Sequence, residues 1–328
     1  MTEIRHLRGL DLWTIIAPGR RRRPHDVDRK AGPERCPFCP GNEHLLAPIV
    51  WEMPRGQAPG WQCRVVFNKY AALTPDASGE AQSDGLCEQR PGRGRHEVII
   101  EHPEHDRDLA VMSEPDRRAV LETCRARYRA LLAAPATEAV VLFRNHGGRA
   151  GASLSHPHSQ IVSLPIVPPL VRQRVASAAS YHEQTTRCVW CDLLAEEARK
   201  VERIVAANDH FIAFVPCAAI GPCEVWILPR AHRADFADLA DAELSDLAAI
   251  LGTVLRAYRQ RLDDPQYNYV VHGAPRGQGE APHLHWYLQL LPRLATPAGF
   301  ELGAGMAFNP SRPEDDARAL AATIAEIG

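Results

Sequence analysis

The chain has 328 residues, of which 45% are apolar, enough to bury a core in one large domain or two fused modules. Its formal net charge of −2 provides no basic field that would draw it to nucleic acid or to an anionic membrane. Without a run of ~18 apolar residues or an apolar signal-peptide core in the charged residues 1–8, the chain is expected to be cytoplasmic and not membrane-bound.

The N-terminal part offers a set of metal-binding side chains. An arginine run at 20–23 and His25 are interpreted as solvated surface. Cys36 and Cys39, separated by two residues, come next. In a cytosolic chain with nine cysteines, such a pair indicates metal ligation or burial rather than a disulfide. A strand-like segment at 97–100 then leads to His105.

A helix and two strands follow. The segment Ser113-Glu114-Pro115-Asp116 is typical of a helix N-terminus and predicts a helix over 113–134. Strand-like runs follow at 139–143 and 155–164. Because residues two apart along a strand face the same side, we expect His156, His158 and Gln160 to line up on one face.

The second half repeats this order of elements. Cys188 and Cys191 form a second pair, strand-like segment 224–227 leads to His232, and a helix is predicted over 235–262. Further strands are predicted at 267–271 and 283–291, and a helix over 312–327. One offset of 127 residues relates His105 to His232, His156 to His283, and His158 to His285. We predict an α+β fold of two fused units, residues 1–170 and 171–328, each with an antiparallel sheet and packed helices.

Two cysteines and two histidines in each half predict two tetrahedral zinc sites, with iron as the alternative metal. Four protein ligands would close each site, so the metal would be structural. His102 competes with His105 as a ligand. The predicted ligands are Cys36, Cys39, His105 and His156 in the first unit, and Cys188, Cys191, His232 and His283 in the second.

The segment from Asn145 to Gln160 predicts the chemical centre. Its glycines allow a turn whose backbone N–H groups can approach a phosphate closely. A neutral imidazole at His158 is a competent nucleophile toward a phosphoryl group, and Gln160 would donate to the phosphate oxygens. The carbonyl of His156 would fix the tautomer of His158. Since aromatic residues follow His285, catalysis is assigned to the first unit alone.

These residues resemble the galactose-1-phosphate uridylyltransferase family of the histidine-triad superfamily. The resemblance spans nearly the whole chain and is strongest at Gly151-Ala152-Ser153 and His156-Pro157-His158-Ser159-Gln160. It implies a ping-pong cycle in which His158 carries a nucleoside monophosphate from a nucleotide sugar to a sugar 1-phosphate or phosphate, in a homodimer. It also implies a set of substrate-binding residues: Asn145, Gly151, Ser153 and Gln160 at the phosphates, Asn68 near the nucleoside, and Ser159, where uridylyltransferases usually have glycine.

Three functional hypotheses follow. The first is a UDP-glucose–hexose-1-phosphate uridylyltransferase of galactose metabolism. The second is an ADP-sugar phosphorylase of the same fold, because the tail at 298–306 and the second cysteine pair resemble the branch that contains ADP-glucose phosphorylase. The third is a zinc-stabilised nucleotide-binding protein without catalysis, which the intact set of residues around His158 disfavours.

Overall fold

The computed structural model describes residues 2–22, 36–56 and 58–328; Arg23 and His25, interpreted above as solvated, lie outside these ranges. The strands are β1 (Glu3–Leu7), β2 (Leu12–Ile16), β3 (Ile49–Pro54), β4 (Trp61–Phe67), β5 (Gln82–Asp84), β6 (Cys87–Pro91), β7 (Arg95–Ile100), β8 (Ala139–His146), β9 (His158–Leu164), β10 (Ile204–Ala207), β11 (Phe211–Phe214), β12 (Val225–Pro229), β13 (Tyr267–His272) and β14 (Tyr287–Pro292). The helices are α1 (Glu114–Leu132), α2 (Pro169–Thr185), α3 (Val189–Lys200), α4 (Asp241–Arg261), α5 (Gly299–Ala304) and α6 (Pro313–Ile327).

One ten-stranded sheet runs through both halves of the chain, in the order β10-β11-β12-β14-β13-β8-β9-β7-β4-β3. Neighbouring strands in it are antiparallel. The halves meet where β8 pairs with β13, with Asn145 opposite Asn268. The strands of the first half are therefore hydrogen-bonded directly to those of the second. A separate four-stranded sheet has the order β2-β1-β6-β5.

Helices α1 and α4 pack on each other and cover one face of the large sheet. Helix α1 begins as predicted, because the Ser113 side chain accepts from the backbone N–H of Asp116. Alternate strand residues such as Val65, Ile99 and Ile161 are fully buried on this face. Burial of an aliphatic side chain of this size contributes about 1.5–3 kcal/mol, so this layer is the main core.

The opposite face carries two smaller apolar clusters, one in each half. Cys36, Phe38 and Cys39 pack over Val98 and Ile100 in the first half. In the second half the cluster comprises Cys188, Trp190, Leu194, Ile212, Phe214, Leu228 and Tyr287. Each cysteine pair therefore lies over its own half of the sheet, on the side away from α1 and α4.

The predicted α+β architecture of two units with antiparallel strands is confirmed, with clear shifts at the starts of three elements. Strand β9 begins at His158 rather than 155, since Pro157 has no N–H to donate to a neighbouring strand. Strand β14 begins at Tyr287 rather than 283. Helix α4 begins at Asp241, because the Asp235 side chain accepts from Ala237 N and closes a separate short turn. The predicted unit boundary at 170/171 falls in the first turn of α2.

None of the helices in the described ranges is long and apolar enough to cross a bilayer.

Candidate active site and metal centres

A cavity of about 220 Å³ opens on the sheet face that carries the first cysteine pair. Phe38 and apolar residues of β4 and β7 form its walls. Its polar side chains include four of the predicted site residues: Asn68, Ser153, His158 and Gln160. An apolar slot with a few convergent polar groups is typical of a small-molecule site.

His158 is the first residue of β9 and lies opposite Ile100 of β7. Its side chain is buried, with the residue 5% exposed, and the ring edge packs against Phe38. Nδ1 lies 2.8 Å from the carbonyl oxygen of His156, the hydrogen bond expected from the sequence. Because Nδ1–H donates to that carbonyl, the lone pair of the neutral ring is on Nε2. The strand thus fixes the tautomer that a nucleophilic Nε2 requires.

Gln160 is oriented by His96 of β7. The backbone N–H of Ala72 donates to His96 Nδ1 at 3.1 Å, so His96 Nε2–H donates to Gln160 Oε1 at 3.0 Å. Asn68 Nδ2 approaches the same oxygen at 3.4 Å. With Oε1 held in this way, the amino end of Gln160 is the end that can turn toward an anion.

Asn145 and Gly151 lie beside the cavity rather than in its wall. Arg144 of β8 lies opposite Ser159 of β9, so the same register places Asn145 opposite His158. The turn after β8 needs glycine, because Gly147 and Gly151 have φ of +84° and +89°.

Ser159 was predicted to bind substrate, but it does not line the cavity. It lies between two cavity residues on β9, so its side chain points to the other face of the sheet and is fully buried. The hydroxyl donates to Glu101 Oε1 at 2.5 Å, and Arg144 Nε donates to the same carboxylate at 3.0 Å. Arg144 also donates to Asp108 at 2.5 Å. Ser159 therefore belongs to a buried ion-pair network beneath the nucleophile strand.

The first predicted ligand set is brought together. The ligand atoms of Cys36, Cys39, His105 and His156 all lie within 4.8 Å of one another. Their S···N distances are 3.3, 3.5 and 3.6 Å. Zinc–sulfur and zinc–nitrogen bonds at a tetrahedral angle would separate S and N by about 3.5 Å, so the set fits zinc.

Groups around these ligands also fit a metal. His156 Nε2 is 2.8 Å from the carbonyl of His102, and His105 Nε2 is 3.1 Å from Ser155 Oγ, so each imidazole turns Nδ1 toward the thiols. His102 accepts from Glu104 N, which favours His105 over His102 as the ligand. Burial, together with the neighbouring Cys36, raises the pKa of the Cys39 thiol to about 12. A pair of thiolates here needs a cation to balance its charge.

The second half brings together three of its four predicted ligands. Atoms of Cys188, Cys191 and His232 lie within 4.8 Å of one another, with Cys191 Sγ 3.3 Å from His232 Nδ1. The imidazole of His283 is outside this group. Its ring lies 6.1 Å from that of His182, and its backbone oxygen accepts from Cys188 Sγ at 3.8 Å.

Strand register explains the difference at His283. Ile100 lies opposite His158, and the offset of 127 predicts Ile227 opposite His285; instead Ile227 lies opposite Leu288, a displacement of three residues. The ring of His285 packs edge-on against His232 at 5.6 Å and 85°, as His156 packs against His105 at 5.2 Å and 86°. Nε2 of His285 is buried without a hydrogen-bond partner among the described residues. His283 and His285 are thus the two candidates for the fourth position.

Known proteins resemble this chain in both of its halves. The family model for the N-terminal domain of galactose-1-phosphate uridyl transferase matches residues 1–168, and the model for its C-terminal domain matches residues 174–324. An ADP-glucose phosphorylase from Arabidopsis thaliana is 34% identical over 318 residues, covering 94% of this chain and 89% of the relative. A galactose-1-phosphate uridylyltransferase from Thermotoga maritima is 28% identical over 338 residues, covering 100% of both.

Two solved structures have the same fold along nearly the whole chain. The crystal structure of the Arabidopsis thaliana ADP-glucose phosphorylase with bound ADP-glucose superposes with a TM-score of 0.79 at 34% identity, covering 94% of this chain and 95% of that one. A uridylyltransferase structure superposes with a TM-score of 0.84 at 30% identity, covering 99% of each chain.

Proposed function

The chain belongs to the galactose-1-phosphate uridylyltransferase family, and we propose that it is an enzyme that transfers a nucleoside monophosphate from a nucleoside diphosphate sugar through a covalent bond to His158. The observation that carries this proposal is the 2.8 Å hydrogen bond from His158 Nδ1 to the carbonyl of His156, in a cavity shared with Gln160. This bond leaves Nε2 as the nucleophilic nitrogen.

The reaction has two displacements at one phosphorus atom. His158 Nε2 attacks the α-phosphorus of the donor, the N–P bond forms, and the bond to the sugar 1-phosphate breaks with its electron pair going to that leaving group. The Nδ1–H group remains hydrogen-bonded to the carbonyl oxygen of His156, and this bond stabilises the positive charge that develops on the ring. An oxygen of the acceptor phosphate then attacks the same phosphorus, and the N–P bond returns its electrons to Nε2.

Cavity residues hold the phosphates in this scheme. The amino end of Gln160, whose oxygen His96 engages, donates to a phosphate oxygen without acting as an acid or a base. Ser153 lines the cavity beside His158, Asn145 and Gly151 lie next to it, and Asn68 borders the nucleoside slot. Phe38 and the other apolar wall residues offer no group that would activate water, which favours transfer over hydrolysis.

Two reactions, each with its own nucleotide donor and phosphate acceptor, are candidates for this site. The first is uridylyl transfer from UDP-glucose to galactose 1-phosphate, supported by uridylyltransferase relatives that match the full chain. The second is phosphorolysis of ADP-glucose, with adenylyl transfer to phosphate, favoured by the 34% identity to the Arabidopsis thaliana phosphorylase. Both use the same covalent step on His158. The homodimer and the cytoplasmic location stay predictions.

We further propose that residues 1–170 form the catalytic unit and that each unit holds one structural zinc ion. Cys36, Cys39, His105 and His156 would bind the first ion. Cys188, Cys191 and His232 would bind the second, together with His283 or His285. When bound, the first ion would tie the loop of the cysteine pair to the residue that supports His158.

Intact-mass measurement tests the covalent step. The purified protein is incubated separately with UDP-glucose and with ADP-glucose. Each reaction is quenched, and the intact mass of the protein is measured. An adduct of uridylate mass supports the first candidate, and one of adenylate mass supports the second. The adduct should be absent in His158→Ala and present in His210→Ala, a matched histidine that does not line the cavity. An adduct that persists in His158→Ala would remove the proposed nucleophile.

A further inference from the structure

We propose that Asn268, on strand β13 of the second half, is a positioning residue for this transfer: it orients the amide of Asn145 and holds the turn beside His158. The inference rests on the proposed role of His158. It gives the second half a part in the chemistry of the first, beyond packing.

The three residues lie in one row across the sheet. Asn268 is directly opposite Asn145, and the register of β8 and β9 places Asn145 opposite His158. Tyr267 and Tyr269, the neighbours of Asn268, are buried in the core beneath α1 and α4. The Asn268 side chain therefore points to the opposite face, on which the cavity opens.

Hydrogen bonds from Asn268 fix which end of Asn145 is available. Asn268 Nδ2 donates to Asn145 Oδ1 at 2.8 Å and to the carbonyl of Ala150 at 2.9 Å. Because Oδ1 of Asn145 is occupied, its amino group is the end that faces away from Asn268. That amino group lies 3.5 Å from the carbonyl of Gly151. Asn268 thus sets the direction of the Asn145 amide dipole.

Gln266 holds the same turn from its other side. Its Oε1 accepts from the backbone N–H of Arg149. A Cβ at Gly147 would lie 2.4 Å from Gln266 Cγ, so this position admits only glycine while Gln266 keeps its place. The short turn Gly148–Ala150 is therefore held between β8 and two side chains, Gln266 just before β13 and Asn268 within it.

The direction of the Asn145 amide matters because the reacting phosphate is an anion. An N–H donor beside the phosphorus stabilises the charge on the phosphate oxygens, and preorganised donors of this kind are among the largest contributions to catalysis. A flipped amide would present its carbonyl oxygen and repel the same charge. Asn268 selects the favourable orientation before the substrate binds.

The test uses an isosteric change, Asn268→Asp. A carboxylate cannot donate to Asn145 Oδ1 or to Ala150 O, so Asn145 turns its amino group to Asp and its oxygen toward the phosphate. The single-turnover rate of adduct formation at saturating donor should fall on the order of 10²-fold. The matched control is Asn208→Asp, which removes a comparable 2.8 Å bond from Nδ2 to the Asp246 carbonyl and should keep the wild-type rate. Asn268→Ala, which removes the donor without adding charge, should give an intermediate loss.

A double-mutant cycle separates this role from a general structural one. In an Asn145→Ala background, Asn268→Asp should cause a much smaller loss of rate, because the amide that it orients is gone and only its bond to Ala150 remains to be lost. The inference is overturned if Asn268→Asp and Asn268→Ala both keep rates within about threefold of wild type, or if the loss is the same in the Asn145→Ala background. A wild-type protein that forms no adduct with either donor would instead overturn the proposed function.

Discussion

Ser153 and Ser159 lie six residues apart, yet their side chains face different parts of the molecule. Ser153 lines the cavity, whereas Ser159 donates to the buried carboxylate of Glu101. Ser159→Ala should lower the free energy of unfolding by about 1.5–3 kcal/mol, the usual contribution of a hydrogen bond to a charged group. Ser153→Ala should reduce the rate of adduct formation with little change in stability. Denaturant unfolding and adduct kinetics on both variants check this; a raised KM for the donor in Ser159→Ala would restore its predicted substrate contact.

The sequence contained the signal for Ser159, because residues two apart on a strand share a face. His158 and Gln160 share the cavity face, so the residue between them must point away. The signal for His96 was present in the same form, since it is two residues before Val98, which lies opposite Gln160. The clamp from Asn268 was not predictable, because it depends on how β13 and β8 are aligned across the junction between the halves.

Asp235 provides a pH-dependent contribution to stability. Burial raises its pKa to about 6, although Ala237 N donates to it. Since the folded-state pKa lies above the value of 3.8 for an unperturbed aspartate, the favourable contribution is fully present below about pH 4 and is lost as pH rises through 6. Asp235→Asn should keep the acceptor for Ala237 and mimic the protonated form. Its stability relative to wild type should therefore grow with pH, by up to about 3 kcal/mol above pH 6.

Denaturant unfolding of Asp235→Asn and wild type between pH 4 and 7 measures this difference. Asp241→Asn serves as the control: hydrogen bonding with Arg125 lowers the pKa of that exposed carboxyl below 3.8, so the difference from wild type should stay nearly constant over this pH range. A difference for Asp235→Asn that stays constant across this pH range would show that the carboxyl is not perturbed by folding.

The nine predicted elements match the structure in order and type, whereas β1–β6, β10, β11, α2, α3 and α5 were not predicted and the register between strands was not readable from the sequence. Hydrophobic periodicity and the Ser113 cap gave α1 to within two residues. The constant offset of 127 relates the elements of the first half to those of the second. In the pairing of β12 with β14, however, Ile227 lies opposite Leu288, three residues beyond the position that the offset predicts. The displacement leaves the sequence spacing of the repeat intact, so the sequence gives no sign of it. It determines which histidine side chain lies near the second cysteine pair.

The displaced strand leads to a prediction about the second metal. Because the ring of His285 packs on His232 as His156 packs on His105, we expect His285→Ala to lower the metal content from two ions per chain to one. His283→Ala should retain two ions. Elemental analysis of the purified variants decides between them, with His182→Ala, whose ring neighbours His283, as the control. Loss of the ion only in His283→Ala would instead show that its imidazole turns toward the cysteines when the metal binds.

The two halves of the ten-stranded sheet carry different side chains on the face opposite α1 and α4. The first half keeps a cavity beside His158. In the second, Tyr287 packs against Trp190 and Trp226 with ring centroids 4.8 and 4.7 Å apart, so aromatic side chains fill that part of the sheet face. The second half instead contributes β13, through which Asn268 and Gln266 reach the glycine turn. In the proposed mechanism, the first half therefore holds the catalytic residues and the second half supports them.

This asymmetry predicts different consequences for losing each metal. Cys39→Ser and Cys191→Ser should each remove one ion per chain and lower the thermal midpoint, because a structural ion stabilises the folded state. Only Cys39→Ser should also slow adduct formation, by about 10–100-fold, since changes at a metal site commonly cost this much activity. The first ion would hold His156, whose carbonyl fixes Nδ1 of His158. The second cysteine pair packs over the strands of the other half of the sheet, so Cys191→Ser should retain most of the rate. Metal content and adduct kinetics measured on the same samples check this, and equal losses of rate would mean that both ions support the nucleophile through the shared sheet.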